Sequence, residues 1–377
     1  MPPLSLYIHI PWCIQKCPYC DFNSHAVKSI TPETAYVTTL LDDLSMDLQR
    51  FNIRRPINSI FMGGGTPSLF SPESIDRLLT GIKQQLVFNE EVEITLEANP
   101  STFESQKFAE FRTLGINRLS IGIQSFNDTI LKSLGRVHSA KEAIHAAEIA
   151  HYSGFDNFNL DLMYGLPDQT SDNALTDIKT AIALKPKHIS YYQLTLEPNT
   201  LFHRFPPKLP NDEAIFCIQK QCQQLLAEQG YQQYEISAYS KQGAQCVHNL
   251  NYWQFGDYIG IGAGAHGKIS RQLPVTIIRS FKTKHPDQYI NDQQQNNSTE
   301  VIEQTQLPLE FVMNHLRLKK GFTSEWYQNV TGLKSLTLEP ALSDCLKQNL
   351  LIKQNNHYYC SEQGWNFLDN VLEKFIP

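Results

Sequence analysis

Cys13, Cys17 and Cys20 lie within eight residues near the start of the chain. The Cys-x-x-x-Cys-x-x-Cys spacing puts three soft thiolates on one short loop. A four-iron, four-sulfur cluster takes cysteine thiolates, and three protein ligands leave its fourth iron open. A zinc site with His25 as fourth ligand fits the spacing equally well. The other five cysteines (Cys217, Cys222, Cys246, Cys345, Cys360) are scattered and read most simply as small buried hydrophobes. A second candidate group is His248-Asn249-Leu250-Asn251-Tyr252-Trp253. Its imidazole is of a kind that ligates heme iron, and its two aromatics are of a kind that flank a porphyrin. Taken alone, it reads better as a hydrogen-bonded histidine among core aromatics. The run Gly260-Ile261-Gly262-Ala263-Gly264 superficially matches a dinucleotide fingerprint, but no strand–helix–strand unit surrounds it, so a tight-turn segment is expected.

The elements that must position these residues alternate. Strand-like segments at Leu4–Ile10, Ser59–Met62, Val92–Leu96, Leu119–Ile123, Phe158–Met163 and Ile189–Leu196 are separated by helical patterns. Thr31-Pro32-Glu33 and Ser71-Pro72-Glu73 read as helix starts, with Thr31 and Ser71 as N-caps. Helices are expected at Phe103–Leu114 (stopped by Gly115), Ala140–Tyr152 (stopped by Gly154) and Asn173–Leu184. Such alternation predicts an α/β fold: a parallel sheet curled into a partial (β/α)6 TIM-like barrel. Active groups of such barrels sit at the C-terminal strand ends. The cysteine loop, Gly63–Gly65, Glu97, Gln124 and Asp161 all fall there, which favours the cluster over zinc. Beyond Leu196 the pattern changes, with a helix at Asn211–Gln229 and a strand at Tyr231–Tyr239. The expected division is a barrel over 1–240, a segment with the histidine motif and a polar linker over 241–300, and a small α-rich C-terminal domain over 301–377. Within the middle segment, Gln288–Glu300 reads as an exposed loop.

Composition narrows the setting. The chain has 377 residues, 41% hydrophobic and 19% charged, and a net charge of −6, so it lacks the basic footprint of a nucleic-acid binder. No apolar run is long enough to span a bilayer, and Met1–Leu6 does not read as a secretion signal. A reducing, cytoplasmic setting is expected, with at most transient contact at a membrane surface.

Tyr7-Ile8-His9-Ile10-Pro11-Trp12-Cys13 through Cys20-Asp21-Phe22 resembles the opening of the radical S-adenosylmethionine (SAM) proteins. It is most similar to the branch holding oxygen-independent coproporphyrinogen III dehydrogenase and the HemW-type heme chaperones, and the resemblance covers most of the chain. It implies that the open iron takes the amino and carboxylate groups of SAM. Tyr19 matches the aromatic beside the adenine. Gly63-Gly64-Gly65-Thr66 matches the glycine motif, where Gly64, Gly65 and Thr66 let backbone approach the methionine end. Glu97, Gln124, Arg136 and Asp161 fall where this branch makes polar contacts to SAM, and Tyr7 is a further candidate.

Between the two branch members, the dehydrogenase has a fourth cysteine where this chain has Phe22, and it carries a long N-terminal extension ahead of the position of Tyr7. His248, Tyr252 and Trp253 match the His-Asn-x-x-Tyr-Trp motif of the chaperones. The resemblance therefore implies a carrier that binds heme, the cluster and SAM and passes heme to acceptor proteins such as respiratory enzymes. Radical decarboxylation of coproporphyrinogen III is the alternative. Whether SAM is cleaved, and whether the chain is a monomer or a dimer, stay open.

Overall fold

Seven residues, Leu4–Ile10, form the first strand, and all but Tyr7 are buried. A strand apolar on both faces needs cover on both sides, which is the position of a central parallel strand. The computed structural model describes residues 1–27, 31–272, 275–291 and 297–377. Among the described residues twelve strands join in one sheet: β1 (Leu4–Ile10), β2 (Ile57–Gly64), β3 (Phe88–Ala98), β4 (Arg118–Gln124), β5 (Asn157–Tyr164), β6 (His188–Gln193), β7 (Gln232–Gln233), β8 (Ala238–Ser240), β9 (Asp257–Ile261), β10 (His266–Gln272), β11 (Val275–Lys282) and β12 (Asn297–Val301). Their order is β12-β11-β10-β9-β1-β2-β3-β4-β5-β6-β8-β7. Strands β1 to β6 run parallel, as the alternation predicts.

Local chemistry sets the helix starts. Ser71 caps Pro72–Gln85 by accepting from the Ser74 N–H. Capping boxes of Ser139 with Glu142 and Thr170 with Asn173 open Ala140–Tyr152 and Ser171–Ala183. Thr31 does not cap the first helix: Glu33–Arg50 starts after Pro32 with no side-chain cap. Its Glu33 instead accepts from the Ser71 N–H and hydroxyl at 2.9 and 2.8 Å, tying two helix starts together. The helix expected at Phe103–Leu114 divides into Thr102–Ser105 and Phe108–Thr113. The strand expected at Tyr231–Tyr239 folds back on itself as the antiparallel pair β7 and β8.

Two readings of the middle segment are corrected. The glycine-rich run is not only a turn: Gly260 and Ile261 end β9, which lies parallel to β1 in the centre of the sheet. The polar stretch Gln288–Glu300 is not simply an exposed loop. It holds most of the helix Pro286–Asn291 and of β12, and its Tyr289 is fully buried. The Tyr289 hydroxyl donates to Asp43 at 2.6 Å and accepts from the Gly262 N–H at 3.0 Å. Residues 292–296 of that stretch lie outside the described residues. Beyond residue 301, short helices and a hairpin (Leu351–Gln354 with His357–Cys360) build a separate core around Phe311, Phe322 and Tyr327.

Candidate cofactor site

The cysteine loop leaves β1 and is pinned at both ends. Trp12–Cys13 pairs with His25–Ala26, and the Val27 N–H donates to the Cys13 carbonyl at 2.9 Å. Asn23 anchors the loop from outside through its Nδ2, which donates to the carbonyls of Ala263 and Lys284 at 2.9 and 2.8 Å. His9 adds an inner strut: its Nε2 donates to the Asn23 carbonyl at 3.0 Å, while Nδ1 accepts from the Tyr7 hydroxyl at 2.9 Å. All three cysteines are free and half-buried. Among the described residues no group of three or more His, Cys, Asp and Glu closes on a single metal ion. A cluster presents a different iron to each thiolate and so needs no such convergence. Burial pushes the Cys13 thiol up to about 11, against a hydrogen bond from Thr66.

The glycines also have a packing role. A Cβ on Gly64, whose φ is +108°, would strike the His9 ring at 2.3 Å. One on Gly65 would strike the backbone of Ile10–Trp12. The Gly65 and Thr66 N–H groups donate to the carbonyls of Ile10 and Trp12 at 2.8 and 2.7 Å. The glycine motif is therefore needed to seat the loop after β2 flush against the start of the cysteine loop.

A cavity of about 380 Å³ opens beside the cysteines. Tyr19, Gly64, Gly65, Thr66, Glu97, Gln124, Arg136 and Asp161 all line it together with Cys13, Cys17 and Cys20. Arg136 bridges its parts, donating to the Cys17 sulfur at 3.6 Å, to Asn99 Oδ1 at 2.6 Å and to the Gly122 carbonyl at 2.8 Å. Gln124 holds a left-handed backbone (φ 67°) at a register shift of β4, and its Oε1 accepts from the Tyr192 hydroxyl at 2.7 Å. A non-glycine residue in that conformation is strained, and such strain gathers at functional sites. Asp161 accepts from Ser120 and Asn159 at 2.9 and 2.8 Å. Burial, followed by the charge of Asp161, pushes Glu97 up to about 8. Asn99 and Tyr192 also line the cavity and were not singled out from sequence. Asn99 lies one residue past β3, the same strand-end signal that marked Glu97.

Tyr7 lies apart from that cavity. It lines a neighbouring one of about 580 Å³ with His9, Tyr252, Tyr258 and His266. His248 is not presented to an open site. It is 2% exposed, on the helix Val247–Trp253 that follows the cap residue Cys246. Its ring packs against Phe61 (5.0 Å between centroids), Tyr252 (5.2 Å) and Tyr7 (6.3 Å). Ser59 donates to Ser5, so the 3.0 Å contact of Ser59 with His248 Nδ1 is a bond donated by the imidazole. Burial lowers His248 to about 3, keeping it neutral. Trp253 turns toward the C-terminal lobe, where Arg317 stacks on it at 4.3 Å.

Residues 7–181 match the family model of the radical SAM superfamily, and residues 302–367 match that of the HemN C-terminal domain. The chain is 51% identical to the heme chaperone HemW of Haemophilus influenzae, covering all of this chain and 98% of that one. It is 48% identical to heme chaperone HemW of Escherichia coli, covering all of this chain and 99% of that one. The solved structure of coproporphyrinogen III oxidase (HemN) from Escherichia coli, a radical SAM enzyme, superposes with a TM-score of 0.83 at 22% identity, over 99% of this chain and 90% of that one. That likeness establishes the fold: a radical SAM partial barrel carrying a HemN-type C-terminal domain. With relatives of such identity along its whole length, the chain belongs to the HemW family of radical SAM proteins.

Proposed function

We propose that this protein is a heme chaperone that carries a four-iron, four-sulfur cluster and SAM and delivers heme to acceptor proteins such as respiratory enzymes. Family membership along the whole chain supports the heme reading. The single structural observation that carries the cofactor reading is the convergence of three free cysteines and eight further residues, drawn from five strands or the loops after them, on one cavity. In this reading Cys13, Cys17 and Cys20 hold the cluster, which when bound supplies an open iron for SAM. Arg136 suits the SAM carboxylate, Glu97 and Asp161 suit its ammonium and ribose hydroxyls, and Tyr19 offers a face for the adenine. Gln124, braced by Tyr192, supplies an oriented amide. Tyr7, on the adjoining cavity, contributes through its bond to His9, which holds the loop at Asn23.

Decarboxylation of coproporphyrinogen III is not the reading we favour. Phe22 stands, 61% exposed, at the shared wall of the two cavities. No helix of the described residues is long and apolar enough to cross a membrane. The test is anaerobic reconstitution followed by ferric heme titration and a coproporphyrinogen assay in parallel. A Soret band that saturates with heme, with no protoporphyrinogen formed, is the expected result. Absence of heme binding, or turnover of coproporphyrinogen, overturns the reading.

A further inference from the structure

A third cavity, of about 490 Å³, lies where the barrel meets the C-terminal lobe. It shares no lining residue with the cluster cavity. One wall is the helix of the histidine motif, through Leu250 and Gln254; the facing wall is His315, Leu318, Phe322 and Trp326 of the lobe. The volume falls within the range of roughly 300–1,000 Å³ usual for sites that enclose a small organic ligand. Its lining is mixed: aliphatic and aromatic side chains such as Leu250, Leu318 and Trp326 alternate with four glutamines, and Lys319, Lys320 and His357 add ionisable groups.

His315 gives this cavity a chemistry. It ends the helix Leu307–His315 and is 2% exposed. Its Nδ1 lies 2.7 Å from the Trp253 carbonyl, which only accepts, so Nδ1 carries the proton. Nε2 then carries a lone pair and no proton, and it is buried with no hydrogen-bond partner. An imidazole whose Nδ1–H is fixed by a backbone carbonyl and whose Nε2 lone pair is left over is the arrangement of a metal-ligating histidine. Burial lowers its ionisation to about 3, so the lone pair persists at neutral pH. The His315 ring is braced edge-on by Phe311 at 4.2 Å. His248 also has a lone Nε2, but the rings of Tyr7, Phe61 and Tyr252 cover it, whereas His315 lines a cavity.

We propose that the cavity between barrel and lobe is the heme site, with His315 Nε2 as an axial ligand of the iron. The proposal rests on the heme-chaperone reading and deepens it. A heme is a flat apolar disc with two carboxylates. The half-buried Trp326 ring suits its face, and Lys319 and Lys320, both solvent-exposed, suit its carboxylates. Binding forms one iron–nitrogen bond and needs no electron transfer. The histidine motif acts here through its helix: Trp253 orients His315 by its carbonyl, and Leu250 floors the cavity.

The experiment is ferric heme titration of the full-length, cluster-loaded protein and three variants. His315→Ala is expected to weaken binding by roughly tenfold or more and to shift the Soret band. Free imidazole is expected to restore that band, which it would not do for a merely structural residue. Gln254→Trp fills the cavity from its exposed rim and keeps His315, so it is expected to lower affinity with the fold intact by circular dichroism. His248→Ala is expected to keep the wild-type Soret position. If His315→Ala fails to fold, Gln254→Trp decides. Unchanged binding in Gln254→Trp, or in a folded His315→Ala, overturns the site while leaving the chaperone reading in place. No heme binding by the wild-type chain overturns both.

Discussion

At the scale of single residues, Glu97 carries the most informative chemistry. Its carboxyl sits near 8 instead of 4.5, raised first by burial and then by Asp161, against the Gly64 N–H at 3.0 Å that favours its charged form. Between those two pH values the native state holds a proton that the unfolded chain has released. Stability from this group therefore falls as pH rises through that window. Glu97→Gln should flatten this part of a urea-denaturation profile. A carboxylate that is to hold an ammonium must first lose its proton. SAM affinity should rise with pH up to about 8, by as much as roughly tenfold per unit, and lose that dependence in Glu97→Gln. Calorimetric titrations of SAM on either side of that pH check it. The sequence made this residue visible because it falls at a strand end. It could not show His315, which ends an ordinary helix; its significance comes from a carbonyl 62 residues away in the chain. For Gly64 and Gly65 the motif marked the place but not the packing that also demands glycine, because that clash is with a neighbouring strand and its loop.

At the scale of elements, the alternation of β1 to β6 with helices was legible because each strand contains a short apolar run and most of the helices between them have a side-chain cap or a glycine stop, although Glu33–Arg50 has neither. The placement of β9 was not. Its partner in the sheet is β1, some 250 positions earlier, and its glycines read as a turn. Nor was β12, a polar strand at the sheet's edge, where solvent allows the residues of a loop. What fastens this extension to the barrel is a buried charge cluster. Lys282 on β11 donates to Asp43 and Asp47 of the helix Glu33–Arg50 at 2.5 and 2.7 Å, with all three side chains at most 1% exposed. Lys282→Met leaves two carboxylates buried without their cation. It should cost about 3–5 kcal/mol of unfolding free energy. Replacing Lys282 together with both aspartates by apolar residues should recover much of that loss, as denaturant midpoints would show.

At the scale of the whole molecule, the two sites are built by different parts of the chain. The cluster cavity is lined by β1 to β6 and their loops; the third cavity needs the C-terminal lobe. Arg317 holds the lobe to the barrel, pairing with the buried Glu235 at 3.2 Å and stacking on Trp253. Arg317→Ala should cost roughly 2 kcal/mol, since it strands a buried carboxylate whose partner was partly exposed, and should weaken heme more than SAM. Replacing Cys13, Cys17 and Cys20 by Ala should abolish iron–sulfur absorption and leave the heme titration within about twofold of wild type, because the cavities share no wall. If SAM does alter heme affinity, linkage requires heme to alter SAM affinity by the same factor. One pair of titrations, each with and without the other ligand, measures it.

The latch on the cysteine loop also sets an order of events during synthesis. Asn23 is held by the carbonyls of Ala263 and Lys284, and the Tyr36 hydroxyl ties the His9 carbonyl to the Ala263 N–H. A chain emerging from the ribosome has made its cysteines long before it has made those partners. Until about three-quarters of it is out, β1 has an unpaired edge and the loop lacks its outer anchor. Non-local pairing of this kind is slow to form and leaves strand edges exposed meanwhile. Cys13, Cys17 and Cys20 therefore reach their final geometry late, and under the proposed function cluster loading belongs after the barrel has closed over its own first strand.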